Sequence, residues 1–157
     1  MIKLYKPHKG DKNMSQLLHT NDLNSTIYHD AKDIRLNVFV KEQNVPKSIE
    51  IADEDQAIHC VLYDENKKPL GTVRLLPIDK TTMKVQRMAV DKEARGKGIG
   101  KQLMTYVEEV AKQYNVSTLI LGAQLHAVDF YRSLGYESFG DTYWEATIEH
   151  QHMKKTI

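Results

Sequence analysis

The sequence has few of the features that would assign it to a membrane, an oxidising compartment or a nucleic acid. Cys60 is its only cysteine, so no internal disulfide can form and no oxidising compartment is needed. No apolar run reaches the ~18 to 20 residues of a membrane-spanning helix, and residues 1–7 lack the apolar stretch of a signal peptide. The net charge of +1 provides no overall field for nucleic acid or anionic lipid. We therefore expect a cytoplasmic protein that binds neither membranes nor nucleic acids.

The length and composition are typical of one globular domain. The chain has 157 residues, close to the roughly 150 residues of a typical domain. Its shares of 41% hydrophobic and 27% charged residues exclude a disordered or collagen-like chain. No internal repeat and no linker rich in proline, glycine or serine divides the sequence. We predict a single domain that spans residues 1–157.

The first half of the sequence predicts a helix followed by paired strands. Apolar residues at intervals of four, three and four mark one face of a helix, and these are Ile27, Ala31, Ile34 and Val38. Residues 57–63 and 70–76 are strand-like runs, and the turn-forming residues between them predict an antiparallel hairpin. Residues 84–90 predict a third strand of this group, and residues 15–19 predict the short first strand of the chain.

The second half predicts a helix, a buried strand, a short helix and a last strand. An apolar stripe from Ile99 to Tyr114 has helical spacing. Residues 117–121 form a continuous apolar run, which favours a central strand buried on both faces and reached by a helical crossover. A short helix should end at Gly135, where a left-handed cap belongs, and residues 143–148 predict the last strand. The predicted fold class is α+β, with a mixed sheet.

Three glycines at alternate positions, Gly96, Gly98 and Gly100, join the strand that ends near Val90 to the following helix. They allow the backbone to adopt positive φ and to approach a ligand closely. The first N–H groups of a helix lack intrahelical partners and carry the positive end of its dipole, which suits a pyrophosphate. The spacing fits neither the dinucleotide motif G-x-G-x-x-G nor a P-loop, which needs Ser or Thr where Gln102 stands. A basic, flexible loop without a ligand is the alternative.

This loop resembles the signature of the GCN5-related N-acetyltransferases, the GNAT family. Arg95-x-x-Gly98-x-Gly100 matches the family's R/Q-x-x-G-x-G/A pattern. The preceding residues 85–90 look like the family's fourth strand.

Two further segments resemble GNAT motifs and stand in the family's order. Residues 124–136 are similar to the N-x-x-A-x-x-x-Y-x-x-x-G-F/Y segment, although Gln124 replaces the asparagine. Residues 38–43, VFVKEQ, resemble the V-F-x-x-E-Q of one small bacterial branch. The main motifs cover residues 57–148 or so, and the chain is identified as a member of this family.

The resemblance implies a fold, an activity and a cosubstrate. The fold would be a single GNAT-type domain whose mostly antiparallel sheet contains a splayed parallel pair, formed by the strands that end at Val90 and near Gly122. The activity would be direct transfer of an acetyl group from acetyl-CoA to a primary amine of a small molecule or amino acid, an acyltransferase reaction (EC 2.3.1.-). No metal would take part, and the sequence contains neither an H-E-x-x-H motif nor a second cysteine.

The resemblance also implies where the cosubstrate binds. Backbone N–H groups of residues 96–101 would hold the pyrophosphate, and residues 88–90 would run beside the pantetheine like an added strand. The implied cofactor-binding residues are Met88, Ala89, Val90, Arg95, Gly96, Lys97, Gly98, Ile99, Gly100, Lys101, Gln124, Phe130 and Tyr131.

Tyr131 and His150 are the catalytic residues that the resemblance implies. Tyr131 stands where many members place a tyrosine that protonates the CoA thiolate; a simple core position is the alternative. Residues 148–153 resemble the P-H-I-x-M strand of glyphosate-acetyltransferase-like members, in which the histidine is the general base, although a glutamate replaces the proline. Histidine titrates near neutral pH, which suits this role. An exposed tail is the alternative for His150, and His126, Glu42 or a water relay are other candidates for the base.

Opposite charges are concentrated in two segments. Residues 92–101 carry a local charge of +3, which suits an anionic cofactor. Residues 50–55 carry a local charge of −4, from Glu50, Asp53, Glu54 and Asp55. This acidic segment is either a solvated loop or a site for a cationic acceptor.

The sequence leaves a second function and the acceptor open. A regulator that binds CoA or acyl-CoA without catalysis is the alternative function. A nucleic-acid-binding domain that uses the basic loop is disfavoured by the near-zero net charge. Aminoglycosides, amino acids, polyamines, glyphosate-like molecules and protein N-termini are all open as acceptors, as is a homodimer.

Overall fold

The computed structural model describes residues 3–5, 15–50 and 52–157, with side chains from residue 15 onwards except at residues 49 and 50. The strands in these ranges are β1 (Lys3–Tyr5), β2 (Gln16–Thr20), β3 (Ile58–Tyr63), β4 (Pro69–Pro77), β5 (Thr82–Val90), β6 (Thr118–Gln124), β7 (Glu137–Ser138), β8 (Tyr143–Glu145) and β9 (Ile148–Thr156). The α-helices are α1 (Thr26–Arg35), α2 (Lys47–Glu50), α3 (Ile99–Gln113) and α4 (Val128–Ser133). A π-helix covers Leu36–Glu42, and short 3₁₀ turns cover Glu54–Gln56, Lys92–Ala94 and Leu125–Ala127.

The strands form one sheet in the order β1-β2-β3-β4-β5-β6-β9-β7, and β8 pairs with β9. The β5–β6 pair is parallel, and the other pairs in the described residues are antiparallel. Helix α3 lies in the connection between the two parallel strands. Parallel neighbours need such a crossover, which is usually helical. The predicted hairpin of β3 and β4, the mixed sheet and the parallel pair are all confirmed.

The parallel strands β5 and β6 diverge at one end. Their pairing runs from Thr82 with Thr118 to Val85 with Leu121, whereas β5 continues to Val90 and β6 continues to Gln124. A β-bulge lies in the part of β5 that does not pair with β6, where Arg87 has a φ of 57°. A bulge bends its strand, so β5 turns away from β6 and the predicted splay is present.

The two faces of the sheet carry different helices. Helix α3 packs Leu103, Val107 and Val110 against one face, whose strand residues include Leu121 and Met153. Helix α1 packs its apolar stripe against the other face, and the buried members of that group are Ile27, Ala31, Ile34, Val38, Val61, Tyr63 and Ala89. Ser25 caps α1 by accepting a hydrogen bond from the N–H of Ile27 at 3.2 Å. None of the helices described here is both long and apolar enough to cross a membrane.

Three predictions about individual strands are wrong in part. The strand predicted at residues 15–19 is the second one, because β1 pairs with it. The run at residues 117–121 is not buried on both faces: Leu119, Leu121 and Ala123 are buried, while the alternate residues of the strand are half-buried.

The last predicted strand, residues 143–148, is wrong in part: residues 143–145 form β8, but residues 146 and 147 are the turn of a hairpin. Ala146 and Thr147 have φ angles of 50° and 64°, and the chain then returns as the long strand β9. Two-residue turns of this kind usually contain Asn or Gly, which tolerate positive φ, and neither residue is present here.

Candidate active site

A cleft of about 480 Å³ opens where β5 and β6 diverge. Its walls are residues 84–90 of β5, the end of β6, the end of the π-helix, α4 and the β8–β9 hairpin. Residues that alternate along β6 point to opposite faces of the sheet, so Leu121 lies on the α3 side and Gln124 on the other side. The cleft therefore contacts both faces at the point where the sheet is interrupted.

The cleft brings together most of the residues that the sequence predicted. Those that line it are Met88, Ala89, Val90, Arg95, Gly100, Gln124, Phe130, Tyr131 and His150. Two of the alternative bases, Glu42 and His126, also line it. Gly96, Lys97, Gly98, Ile99 and Lys101 do not line it; they form the adjoining loop and the first turn of α3.

The glycine loop has the geometry that the sequence predicted. Gly96 and Gly98 have φ angles of 80° and 77°, and a Cβ atom on either would meet nothing within 4 Å. Glycine is therefore required here by the backbone conformation, and the space beside it is open. Gly98 is the N-cap of α3 and no side chain caps it, so the first N–H groups of a 15-residue helix point towards this open space.

Tyr131 lies in α4 at the junction of the core and the cleft. Its side chain is 9% exposed and packs edge-on against Phe130 and Tyr136, at centroid distances of 5.0 and 6.0 Å. Burial raises the pKa of Tyr131 to about 12, so its hydroxyl is protonated and can donate at neutral pH. Gly100 leaves room for the neighbouring Phe130 ring, because a Cβ at Gly100 would lie 3.3 Å from that ring. The structure thus makes Tyr131 both a core residue and a cleft residue.

His150 lies on β9, opposite Gln124 of β6 and Tyr143 of β8. It is half-buried and lines the cleft, so the alternative of an exposed tail is wrong. Its Nδ1 is 2.8 Å from the carbonyl oxygen of Ile148. Because a carbonyl only accepts, Nδ1 carries the proton, and the Nε2 of the neutral ring is left as the basic atom.

Two polar contacts connect the end of the π-helix to the rims of the cleft. Arg95 donates from Nη2 to Glu42 at 2.8 Å and from Nε to the carbonyl of Val90 at 3.1 Å. Gln124 donates to the side chain of Gln43 at 3.0 Å. Glu42 is therefore engaged by a cation, which leaves it less suited than His150 to remove a proton.

The acidic segment does not form a site for a cationic acceptor at Glu54. This side chain is buried and ion-paired with Arg35 and with Arg74, the latter at 3.0 Å. Burial alone would raise the pKa of Glu54, but Arg35, with the Tyr28 hydroxyl and His59, holds it below its ordinary range. The negative charge is compensated inside the protein, so the prediction is wrong for this residue; the Glu50 side chain lies outside the described residues.

Several residues of the cleft were not among the candidate site residues predicted from the sequence. Tyr143 and Glu145 line it from β8, and Gln86 lines it from β5, where its side-chain oxygen accepts from Arg74 Nη2 at 2.7 Å. Burial, with Glu145 nearby, raises the pKa of Tyr143. Tyr143 and Glu145 belong to no motif quoted above, and the β8–β9 hairpin brings them to the cleft. Gln86 lies within the strand motif of residues 85–90, which assigned it no role.

Neither a metal nor a cysteine nucleophile is supported by the described part of the chain. It contains no group of three or more His, Cys, Asp or Glu residues that could hold a metal ion. Cys60 is fully buried, and burial raises the pKa of its thiol, which disfavours the reactive thiolate.

Comparison with known proteins identifies the family. A family model for an acetyltransferase (GNAT) domain matches residues 26–157. YjcF of Bacillus subtilis, named an uncharacterized N-acetyltransferase, is 39% identical over 128 residues, which cover 80% of this chain and 90% of YjcF. A solved structure from Lactobacillus plantarum, provisionally described as an N-acetyltransferase, has a TM-score of 0.83 at 29% identity and covers 90% of this chain and 97% of that one.

A more distant structure was solved with acetyl-CoA bound. A GNAT family acetyltransferase from Elizabethkingia anophelis, with acetyl-CoA bound, has a TM-score of 0.65 and covers 99% of this chain and 98% of that one. At 18% identity this likeness concerns the fold alone. The family match and the identity with YjcF show that the chain belongs to the GNAT acetyltransferase family.

Proposed function

We propose that this protein transfers an acetyl group from acetyl-CoA to the primary amine of a small molecule or amino acid. One observation carries the proposal: the cleft at the splay joins the start of α3 and Tyr131 on one side of the sheet to His150 on the other. A cosubstrate and an acceptor can therefore meet from opposite faces at the place where the strands part. The family and the acetyl-CoA bound by the E. anophelis protein support this assignment.

The residues around α3 fit the pyrophosphate and pantetheine of CoA. The open space beside Gly96 and Gly98 leaves room for a pyrophosphate at the positive end of the helix dipole. Beyond Val85 the edge of β5 that faces β6 has no strand partner among the described residues, so residues 88–90 can pair with the amides of pantetheine as a strand would.

The catalytic roles follow from the two sides of the cleft. His150 Nε2 takes a proton from the acceptor ammonium, and the free amine attacks the thioester carbonyl. The C–N bond forms, the C–S bond breaks, and the Tyr131 hydroxyl gives its proton to the departing thiolate. The second proton that the attacking nitrogen loses returns to the Tyr131 oxygen, which leaves a neutral amide and the CoA thiol, and His150 releases its proton to solvent. The burial that weakens Tyr131 as an acid also penalises the thiolate and makes the sulfur more basic.

The proposal is tested by acetyl-CoA consumption with a panel of primary amines, measured as thiol release. The panel contains aminoglycosides, amino acids, polyamines, glyphosate and a peptide with a free N-terminus. With the best acceptor, His150→Ala and Tyr131→Phe should each lower kcat by about 10²- to 10⁴-fold, the usual contribution of a general acid or base. His29→Ala, which removes an exposed histidine on α1, is the matched control.

Two results would contradict the proposal. Tight CoA binding without turnover of any amine would favour the non-catalytic regulator instead. Unchanged turnover in His150→Ala would remove the base from the mechanism and direct attention to His126 or to a water relay.

A further inference from the structure

Four rings form a row on the face of the sheet that carries His150, and two of them, Tyr143 and His150, line the cleft. Tyr143 stacks on His152 with a centroid distance of 4.2 Å and on His150 with a distance of 5.5 Å, and the ring planes differ by 23° and 20°. Phe139 stacks on His152 at 5.4 Å and extends the row. His150 and His152 are two residues apart on β9 and so point to the same face, where Tyr143 contacts both.

The hydroxyl end of Tyr143 occupies the place of a side chain on β6. A Cβ atom built on Gly122 would lie 1.8 Å from the Tyr143 hydroxyl oxygen and 3.1 Å from its Cζ. Gly122 directly follows Leu121, the last residue of β6 that pairs with β5. Because Gly122 has no Cβ, the Tyr143 hydroxyl can occupy this space at the point where β5 and β6 part.

The contacts of His150 restrict its ring from two directions. The carbonyl of Ile148 accepts from Nδ1 at one edge, and the Tyr143 ring covers one face. The other ring nitrogen, Nε2, has no hydrogen-bond partner among the described residues. The hydroxyl of Tyr143 likewise has none there, so the contact between the two residues is made by ring stacking.

We propose that Tyr143 is a positioning residue, whose ring holds the His150 imidazole with Nε2 available to the acceptor amine, and that Gly122 is glycine because it admits this ring. The inference rests on the proposed function, in which His150 is the base. Tyr143 is assigned no proton transfer of its own. A displacement of about 1 Å at a catalytic group can cost about 10²-fold in rate, which is the scale of effect expected from losing the stack.

Other ionisable groups line the same cleft as His150. They are Glu42 on the π-helix, Lys84 and Arg87 on β5, Arg95 before α3, His126 after β6, Tyr131 on α4 and Glu145 on β8. His152 neighbours His150 on β9 through the ring row. All eight remain in the variants below, so a change in the pH profile reports on the placement of the His150 ring.

The first test compares Tyr143→Leu, which removes the stacked ring, with Tyr143→Phe, which keeps it. Two readouts are taken: kcat/KM as a function of pH, and the tautomer of His150 from ¹⁵N NMR of the imidazole. Tyr143→Leu should lower kcat about 10- to 100-fold, move the acidic limb of the pH profile and give a mixture of tautomers. Tyr143→Phe should retain the Nδ1–H tautomer and the shape of the profile. Trp144→Leu, at the adjacent side chain that is 71% exposed, controls for disturbance of β8.

The second test displaces the Tyr143 ring by a substitution at Gly122 and leaves Tyr143 itself unchanged. Gly122→Ala should reproduce the loss seen in Tyr143→Leu, because the new Cβ collides with the hydroxyl. In the Tyr143→Phe background that collision is absent and the nearest ring atom would be 3.1 Å away, so Gly122→Ala should then cost much less. This pair of backgrounds also keeps the inference testable if Tyr143→Leu does not fold.

The outcomes separate this inference from the proposed function. A wild-type tautomer and pH profile in both Tyr143→Leu and Gly122→Ala would overturn it, whatever happens to kcat. A loss in Tyr143→Phe equal to that in Tyr143→Leu would also overturn it, because the hydroxyl would then be the acting group. If instead His150→Ala is fully active, the proposed base fails, and the NMR comparison alone decides whether Tyr143 orders the imidazole.

Discussion

At the scale of single residues, the backbone dihedral angle of Gly98 disfavours a side chain there even though the space around it is open. Gly98 has a φ of 77° and no neighbour within 4 Å of where a Cβ would stand. An asparagine tolerates that φ better than other non-glycine residues, and it has the shape of aspartate without the charge. A comparison of Gly98→Asp with Gly98→Asn therefore isolates the electrostatic contribution of this position to CoA binding.

We predict that Gly98→Asp weakens CoA binding at least about tenfold more than Gly98→Asn, because its carboxylate would face the pyrophosphate. The dissociation constants are measured by titration calorimetry at low salt, and the difference should shrink as salt is added. Equal affinities for CoA in the two variants would mean that the pyrophosphate does not bind at this loop.

At the scale of elements, the π-helix and its C-cap residue place two side chains, Glu42 and Gln43, at the cleft. The wider turn of this helix is marked by the N–H of Gln43, which donates to the carbonyl of Val38 at 3.2 Å. Glu42 and Gln43 then extend to opposite rims of the cleft, one to Arg95 and the other to Gln124. The element that covers the acceptor side is thus tied to the loop proposed for the cosubstrate.

Arg95 is shared between this contact and the proposed cosubstrate, and that sharing has a measurable consequence. Arg95→Ala should weaken CoA binding about 10- to 100-fold, the value of a charge-assisted contact. Glu42→Gln should leave CoA affinity equal or slightly tighter, since a half-exposed ion pair contributes at most about 1 kcal/mol.

Arg132→Ala is the control for loss of one surface cation, because Arg132 pairs with Asp129 in an exposed position. If Arg95→Ala binds CoA as tightly as this control, Arg95 serves only to hold the π-helix.

At the scale of the whole molecule, a buried ionic network fastens α1 and the segment before β3 to the sheet. Glu54 pairs with Arg35 from α1 and with Arg74 from β4, and Arg74 also donates to the carbonyl of Ala52 at 2.6 Å. His59 is fully buried beside this network; its Nδ1 accepts from Arg35 Nη1 at 3.3 Å, and its Nε2 donates to the carbonyl oxygen of Glu54 at 3.0 Å. Removing one charge from such a network leaves its partners buried and uncompensated.

We predict that Glu54→Gln lowers the free energy of unfolding by about 3 kcal/mol at pH 7, measured by urea denaturation. The pKa of Glu54 is held below its ordinary value of 4.5 in the folded protein, so its contribution is present above pH 4.5 and is lost as the pH falls through the folded pKa. The gap between wild type and Glu54→Gln should therefore narrow at acid pH. A gap that stays constant down to pH 3 would show that the ionised carboxylate is not what stabilises the fold.

His59 should add to this acid sensitivity. Burial lowers the pKa of His59 from its ordinary value of 6.5, so the unfolded chain binds this proton before the folded one does. The stability of the wild type should accordingly begin to fall as the pH drops below about 6.5.

The sequence by itself determined the features that depend on neighbours along the chain. The stripe of α1, the hairpin of β3 and β4 and the cap at Gly135, with its φ of 95°, follow from periodicity and from residues that tolerate special dihedral angles. The GNAT motifs likewise located the glycine loop and Tyr131. These signals could be used because each is complete within about twenty consecutive residues.

Only the tertiary structure decided which distant residues share the site and which acidic residue is buried. Arg35 and Arg74 are 19 and 20 residues from Glu54, and they meet it only when α1 packs on the sheet. Tyr143 reaches Gly122 because a turn without glycine or asparagine folds β8 back on β9. Contacts of this kind depend on sheet register and on burial, and both arise from packing over the whole chain and leave no local pattern in the sequence.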